Sequence, residues 1–390
     1  METSPNPPEF IPPPPTPPPV IAAPPATRPR KSRGWMIATI ILSVLLVGCV
    51  FIILAQLVTS ALSFKHGFHG ESFGTARDVG PKLDECMLEN NKSLNKIAVI
   101  TVDGIITSHE SDEAGNNMVE VIKAQFDRAR DDRRVKAVIL KVDSPGGEVL
   151  ASDEIYKAIR DFETDEPTDH GKQGRKGKPV ICSMASLAAS GGYYISSGCR
   201  WIEANELTLT GSIGVIMHGW NYRGLMDKIG LAPMTYKSGK YKDMLSGERS
   251  TNEIPAEEHA MVQGLIDETF EKFKDVVADG RAAAHDLNKK EGKALADNWA
   301  DFADGRVVSG KEALEHGFVD ELGDFDDAVN RAEKIADITN CNLIEYRERY
   351  DISNFLSMFG QSGQSHDIKL QLGADVPKLR AGYMYFLYQP

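Results

Sequence analysis

The chain has 390 residues, 44 basic and 56 acidic side chains, a formal charge of −12, and is 42% hydrophobic and 26% charged. That apolar content excludes a wholly disordered chain, and the length leaves room for two or three domains of roughly 100–200 residues. Five cysteines are too few for a disulfide scaffold, and the acidic excess excludes a general nucleic-acid binder, which needs a basic face for phosphates.

These averages conceal three different polymers. Residues 1–33 hold 13 of the 21 prolines, with Arg28, Arg30, Lys31 and Arg33 against Glu2 and Glu9. Proline lacks an N–H and fixes φ, so this tail is expected to be polyproline II or unstructured, a solvated cytoplasmic segment. Residues 34–64 contain no Asp, Glu, Lys or Arg. Their length exceeds the ~20 apolar residues that cross a bilayer as helix. The basic cluster before them predicts an N-terminus inside and everything after about residue 65 outside. A cleaved signal peptide has a shorter apolar core, of about 7–15 residues. The stretch Leu46-Val47-Gly48-Cys49 resembles a lipoprotein attachment box, yet apolar sequence continues past Cys49. A retained single-pass anchor is therefore expected over cleavage or lipidation. The acidic excess falls entirely on residues 65–390.

Residues 65–95 are polar and weakly periodic, and read as a stalk. The β-branched run 97–106 predicts a buried strand, and helical spacing of Val119, Val121, Ile122 and Phe126 predicts a helix over 117–129. A strand over 135–143 runs straight into Ser144-Pro145-Gly146-Gly147, followed by a helix from about 151 to 162. Residues 163–178 contain no strongly apolar side chain and read as an exposed loop. Strands over 179–184 and 201–204 bracket the small-residue segment 188–198, and 255–283 reads as helix. Alternating short strands and helices indicate an α/β domain with a mainly parallel sheet. Beyond about residue 340 the pattern fades into a weakly structured extension.

Glycines and serines at strand ends mark where such sheets place their sites. In Asp143–Gly147, two glycines after a strand can turn the backbone and expose N–H groups, as an oxyanion hole requires; an ordinary turn reads the same way. In Ala188–Tyr194, Ser190 followed by Gly191 and Gly192 has the logic of a nucleophile elbow, or of a plain N-cap. Leu209–Val215 is a third Gly/Ser turn around Ser212. The segment 236–247 carries Lys237, Lys240 and Lys242. A nucleophilic serine needs a base, and of the nine histidines only His218 neighbours one of these segments. No metal-ligand spacing is present, so no metal or cofactor is expected. Lysine is the remaining candidate base, provided burial keeps it neutral. Cys182 and Cys199 flank Ser190 and are expected to pack in the core rather than pair.

Taken together, IAVITVDGII, VILKVDSPGGEV, VICSMASLAASGGYYIS, LTGSIGVI, YKSGKYKDMLS and 304-DGRVVSGKEALEHGFVDELGDFDDAV-329 resemble, in order, the bacterial signal peptide peptidase (protease IV) family. These are membrane-anchored Ser-Lys proteases with a Clp-protease/crotonase-like fold. The resemblance implies one transmembrane helix before a peptidase domain over 96–340, with 341–390 as a C-terminal extension. It implies Ser190 as nucleophile, Lys242 as general base, Ser212 as the residue orienting the lysine, and the Gly147 and Gly191 N–H groups as oxyanion hole. It also implies a homo-oligomeric ring in which neighbouring subunits share each site, and apolar substrates such as residual signal peptides. A related Ser-Lys membrane protease with a specific membrane-protein target is one alternative. A non-catalytic crotonase-like scaffold is another, although crotonase relatives lack the Ser-Lys pair. The extension reads as a loose tail, with entry into a neighbour's site the rarer reading.

Overall fold

The computed structural model describes residues 80–109, 115–164, 177–349 and 384–387. The proline-rich tail and the expected anchor over 34–64 lie outside these residues. Among the described residues no helix is long and apolar enough to cross a membrane.

In chain order the elements are β1 (Leu83–Glu89), β2 (Lys96–Asp103), α1 (Met118–Asp131), β3 (Val135–Ser144), β4 (Gly146–Glu148), α2 (Val149–Glu163), β5 (Val180–Ala189) and α3 (Gly191–Ser196). There follow β6 (Trp201–Ala204), β7 (Leu209–Gly211), β8 (Ile216–Met217), α4 (Arg223–Ile229), α5 (Ala256–Leu287), β9 (Val307–Ser309) and α6 (Gly310–Glu315). The last are β10 (Glu321–Leu322), α7 (Phe325–Ile335), β11 (Asn342–Glu348) and β12 (Met384–Leu387).

The main sheet runs β1-β11-β2-β3-β5-β6-β10, with β7 on the end of β5 and β9 beyond it. Every pairing from β11 to β10 is parallel, as is β5 with β7; β1 and β9 pair antiparallel. This is the mainly parallel α/β sheet expected from the sequence. Strand alternation divides the core between its faces. Val138, Leu140, Val180 and Cys182 join one core with Phe126, Ile155, Tyr194 and Phe273. Ala137, Ile139, Ile181 and Trp201 face the other, under Ala328 and Ala332 of α7. Helices on both faces explain why β2 and β3 read as nearly continuous apolar runs.

Local chemistry fixes the helix ends. Asn117 accepts from Glu120 N–H at 3.0 Å while Glu120 accepts from Asn117 N–H at 3.1 Å, a reciprocal box that starts α1. In α5 the buried residues Phe273, Val276, Val277, Gly280, Arg281 and Ala284 follow the helical period. Arg281 is fully buried and forked onto Asp320 at 2.8 and 2.5 Å, and Asp320 also accepts from Ile202 N–H. That network ties α5 to β6.

Three expectations need correction. The polar 65–95 stretch is not stalk throughout, because Leu83–Glu89 closes the sheet edge as β1. Its partner β11, placed in the extension by the fading pattern, lies parallel to β2 inside the sheet. The ends of the 163–178 loop are structural. Glu163 accepts from the N–H groups of Val180 and Arg200 at 2.8 and 3.0 Å, and burial pushes its carboxyl up to about 7. Lys178 donates to the carbonyls of Ala129, Arg130 and Asp132 at the end of α1, and burial draws its ammonium down to about 8. Charged side chains recruited to cap backbone groups leave no periodic signal in sequence.

Candidate active site

The site assembles where β3, β5 and β7 end. After β3 the chain turns at Gly146, whose φ of +98° disfavours any side chain. A Cβ at Gly147 would collide with the backbone of Ile106, so β4 can lie this close only as glycine. Ile106 N–H donates to the Gly146 carbonyl at 2.9 Å, and Glu148 N–H donates to the Ile106 carbonyl at 2.8 Å. Because backbone groups alternate along a strand, the Gly147 N–H faces the opposite edge. That edge is the one β12 occupies, with Phe386 opposite Gly147.

Glu148 braces this strand. Its carboxylate accepts from Thr107 Oγ1 at 2.9 Å, Ser108 N–H at 3.1 Å and Ser108 Oγ at 2.9 Å, and meets His109 Nδ1 at 2.7 Å. Burial pushes the carboxyl up, but these donors outweigh it and hold the pKa below the usual value. Sequence reasoning passed over Glu148, since nothing separates it from any glutamate that begins a helix.

Ser190 ends β5 with φ 54° and ψ −115°, and is only 1% exposed. Its N–H donates to the Gly211 carbonyl and its carbonyl accepts from Tyr194 N–H, both at 2.8 Å. Non-glycine residues hold such a conformation only where surroundings impose it, commonly at functional turns. Gly191 follows at the start of α3. A Cβ there would stand 3.0 Å from the Gly147 nitrogen, so the two amides proposed for an oxyanion hole are neighbours. Ser212 also has a positive φ, 50°, and its N–H donates to the Arg306 carbonyl at 2.7 Å.

Ser190 and Ser212 open onto one cavity of about 750 Å³, whose walls include Val215, Ile216, His218, Phe270 and Leu387. Lys242 does not line it; it is exposed, in the irregular segment after α4. Lys237 is paired with Asp243 at 2.7 Å and Lys240 with Glu257 at 2.8 Å. Among the described residues Lys242 alone of the three lacks an ion-pair partner. Four of the five sequence-predicted residues are thus brought together, and the fifth is not. Among the described residues no three His, Cys, Asp or Glu side chains are grouped to hold a metal ion.

The sequence model described as "Peptidase family S49" matches residues 172–339. The chain is 35% identical over 284 residues to a protein of Enterococcus faecium named "Putative signal peptide peptidase SppA", covering 71% of this chain and 73% of that one. It is 38% identical over 241 residues to "Putative protease slr0021" of Synechocystis, covering 62% and 74%. Among solved structures it is similar to the 1510-N membrane-bound stomatin-specific protease with a substrate peptide. There the TM-score is 0.37 and identity 16%, over 68% of this chain and 97% of that one.

Proposed function

The chain belongs to peptidase family S49 and is a serine-type peptidase similar to SppA and protease 4, and we propose that it is a membrane-anchored endopeptidase using a Ser190–Lys242 dyad on residual signal peptides and other apolar peptides. The observation that carries this reading is Ser190 itself. It is a buried serine in a strained turn, beside the Gly147 and Gly191 amides and sharing a cavity with Ser212.

In the proposed reaction the Ser190 hydroxyl attacks a peptide carbonyl while neutral Lys242 takes its proton. The oxyanion is held by the N–H groups of Gly147 and Gly191. The lysine ammonium then protonates the leaving amine; the neutral lysine so regenerated takes a proton from a water that attacks the acyl carbonyl, and passes it to Ser190 Oγ as the acyl group leaves. Ser212 orients the lysine amine.

A lysine serves as base only where desolvation favours its neutral form, and Lys242 is exposed in the single chain. The reading therefore includes a homo-oligomeric ring in which Lys242 of the partner subunit reaches Ser190. Support comes from the lysine-bearing region. There α4 buries no residue, and Trp220, Leu225, Ile229, Leu231, Met234 and Tyr236 are all exposed. An apolar surface of that kind suits burial against a second copy. The anchor over residues 34–64 would hold the ring at the outer face of the cell membrane.

The test is a peptidase assay of Ser190→Ala, Lys242→Ala and a co-refolded mixture of the two. Both single variants are expected to be inactive and the mixture partly active, because hybrid interfaces recover one complete site. Residual cleavage by Ser190→Ala would overturn the catalytic assignment. Inactive wild type would favour the scaffold reading, and cleavage restricted to one membrane protein would favour the alternative protease.

A further inference from the structure

Three lysines share the segment between α4 and α5, and composition alone does not rank them. The structure gives them different roles. Lys237 Nζ donates to both carboxylate oxygens of Asp243, at 2.7 and 2.9 Å, and to the Lys240 carbonyl at 3.2 Å. Lys240 Nζ donates to Glu257 in the first turn of α5 at 2.8 Å and lies 4.7 Å from the centre of the Tyr241 ring. Two ammonium groups are thus committed to holding the segment. Among the described residues Lys242 is left without an ion pair.

The contact at Asp243 leads onward. This residue directly follows Lys242 and also faces Arg249 Nη1 at 3.5 Å. The same nitrogen donates to both carboxylate oxygens of Glu258 at 2.8 Å, and Nη2 donates to the Glu253 carbonyl at 2.8 Å. Glu258 stands in the first turn of α5 and is only 3% exposed. A carboxylate so buried is costly unless a cation meets it with hydrogen bonds. A guanidinium can serve three acceptors in fixed directions, which a lysine ammonium does not.

Backbone contacts tie down the far side. The Arg249 carbonyl accepts from Asn221 Nδ2 at 2.8 Å, and the Gly247 carbonyl accepts from Tyr222 N–H at 2.9 Å. Residues 231–250 form turns but no helix or strand, so no ladder of backbone bonds sets their shape. Their ruler is α5. Its far end is locked to β6 through Arg281 and Asp320, and its first turn holds Arg249. Tyr236, Glu248 and His259, the other titratable side chains of residues 236–259, form no ion pair among the described residues.

Resting on the Ser190–Lys242 reading above, we infer that Arg249 is a positioning residue for Lys242, anchored to α5 by Glu258. The chain of ions Lys237–Asp243–Arg249–Glu258 does two things. It fixes the backbone that carries Lys242, and it occupies the one carboxylate adjacent to Lys242 in the chain. An unoccupied carboxylate there would pair with the lysine and favour its charged form, which cannot act as a base.

The test uses the full chain and compares pH profiles of Arg249→Met and Lys237→Met with wild type. Either change frees Asp243 to pair with Lys242. The alkaline limb of kcat should move up by about one pH unit, which below the limb is about a tenfold fall in kcat. KM should change less than twofold. Asp243→Asn placed in the Arg249→Met background removes the carboxylate and should bring the limb back. Arg249→Met leaves Glu258 buried and unpaired and endangers folding; Lys237, more exposed, gives the same reading without that risk. Hydrogen exchange reads the clamp without any catalysis, and in Arg249→Met it should quicken over residues 236–254 while α5 beyond residue 270 stays protected. A limb that stays in place in both variants, or unchanged exchange over 236–254, would overturn the inference. Lys242→Ala separates this from failure of the dyad. Full activity in Lys242→Ala removes the dyad itself, whereas an inactive Lys242→Ala with an unmoved limb removes only the role of Arg249.

Discussion

The Ser190 N–H donates to the Gly211 carbonyl at 2.8 Å, and this bond holds the end of β5 in a backbone conformation that serine avoids. The hydroxyl is thereby lifted out of the strand and into the cavity. Strain of this kind costs about 1–3 kcal/mol. Ser190→Gly should relieve it and, after the added unfolded-state entropy of glycine, about 0.4–1 kcal/mol, gain stability of order 1 kcal/mol over Ser190→Ala. Equal melting temperatures for the two variants would show that the turn is unstrained.

Gly147→Ala tests the close approach of β4 to Ile106. The added methyl meets backbone rather than a movable side chain, so β4 must shift and carry the Gly147 N–H with it. Losing one oxyanion donor costs about 10²–10³ in kcat. Steady-state kinetics should show a fall of that size with a smaller change in KM. Unchanged kcat would remove Gly147 from the oxyanion hole.

The cavity offers His218 as a rival base, since it lines the wall with Ser190 whereas Lys242 does not. With a lysine base, activity should climb with pH through an alkaline limb, and His218→Gln should leave that limb in place. Lys242→Ala should abolish activity at every pH. A flat profile from pH 6 to 10 in the wild type would count against a lysine base, and loss of the pH-dependent limb in His218→Gln would transfer the role to histidine.

Glu203 on β6 is buried, and among the described residues neither of its carboxylate oxygens has a hydrogen-bond partner. Burial first, then the nearby Glu321 and Asp327 carboxylates, push its pKa up to about 8 against the pull of Arg331. A carboxyl raised in the folded state binds its proton more tightly there than when unfolded. Stability from this group is therefore full below its unfolded pKa and declines as pH rises through about 8. Glu203→Gln keeps the shape without titrating. Its melting temperature relative to wild type should rise between pH 5 and pH 9; a constant difference would mean that Glu203 is ionised throughout.

The sequence by itself determined the α/β class, much of the order of strands and helices, and four residues that the fold brings together at the strand ends. Buried parallel strands need apolar runs, and tight turns at their ends need small residues, so both leave local signals. Ser190, Ser212, Gly147 and Gly191 were legible for that reason. Only the tertiary structure decided what depends on distant segments meeting. β1 and β11 have weak patterns because each finds its register from a partner more than 250 residues away. Glu148, Glu163 and Lys178 work through bonds to backbone groups, which no side-chain period records. The seat of Phe386 on β12 follows the same rule. An uncharged C-terminal stretch reads as loose tail until the groove between β4 and β8, and the recess formed by Tyr194 and Phe273, give its backbone and its ring somewhere to go.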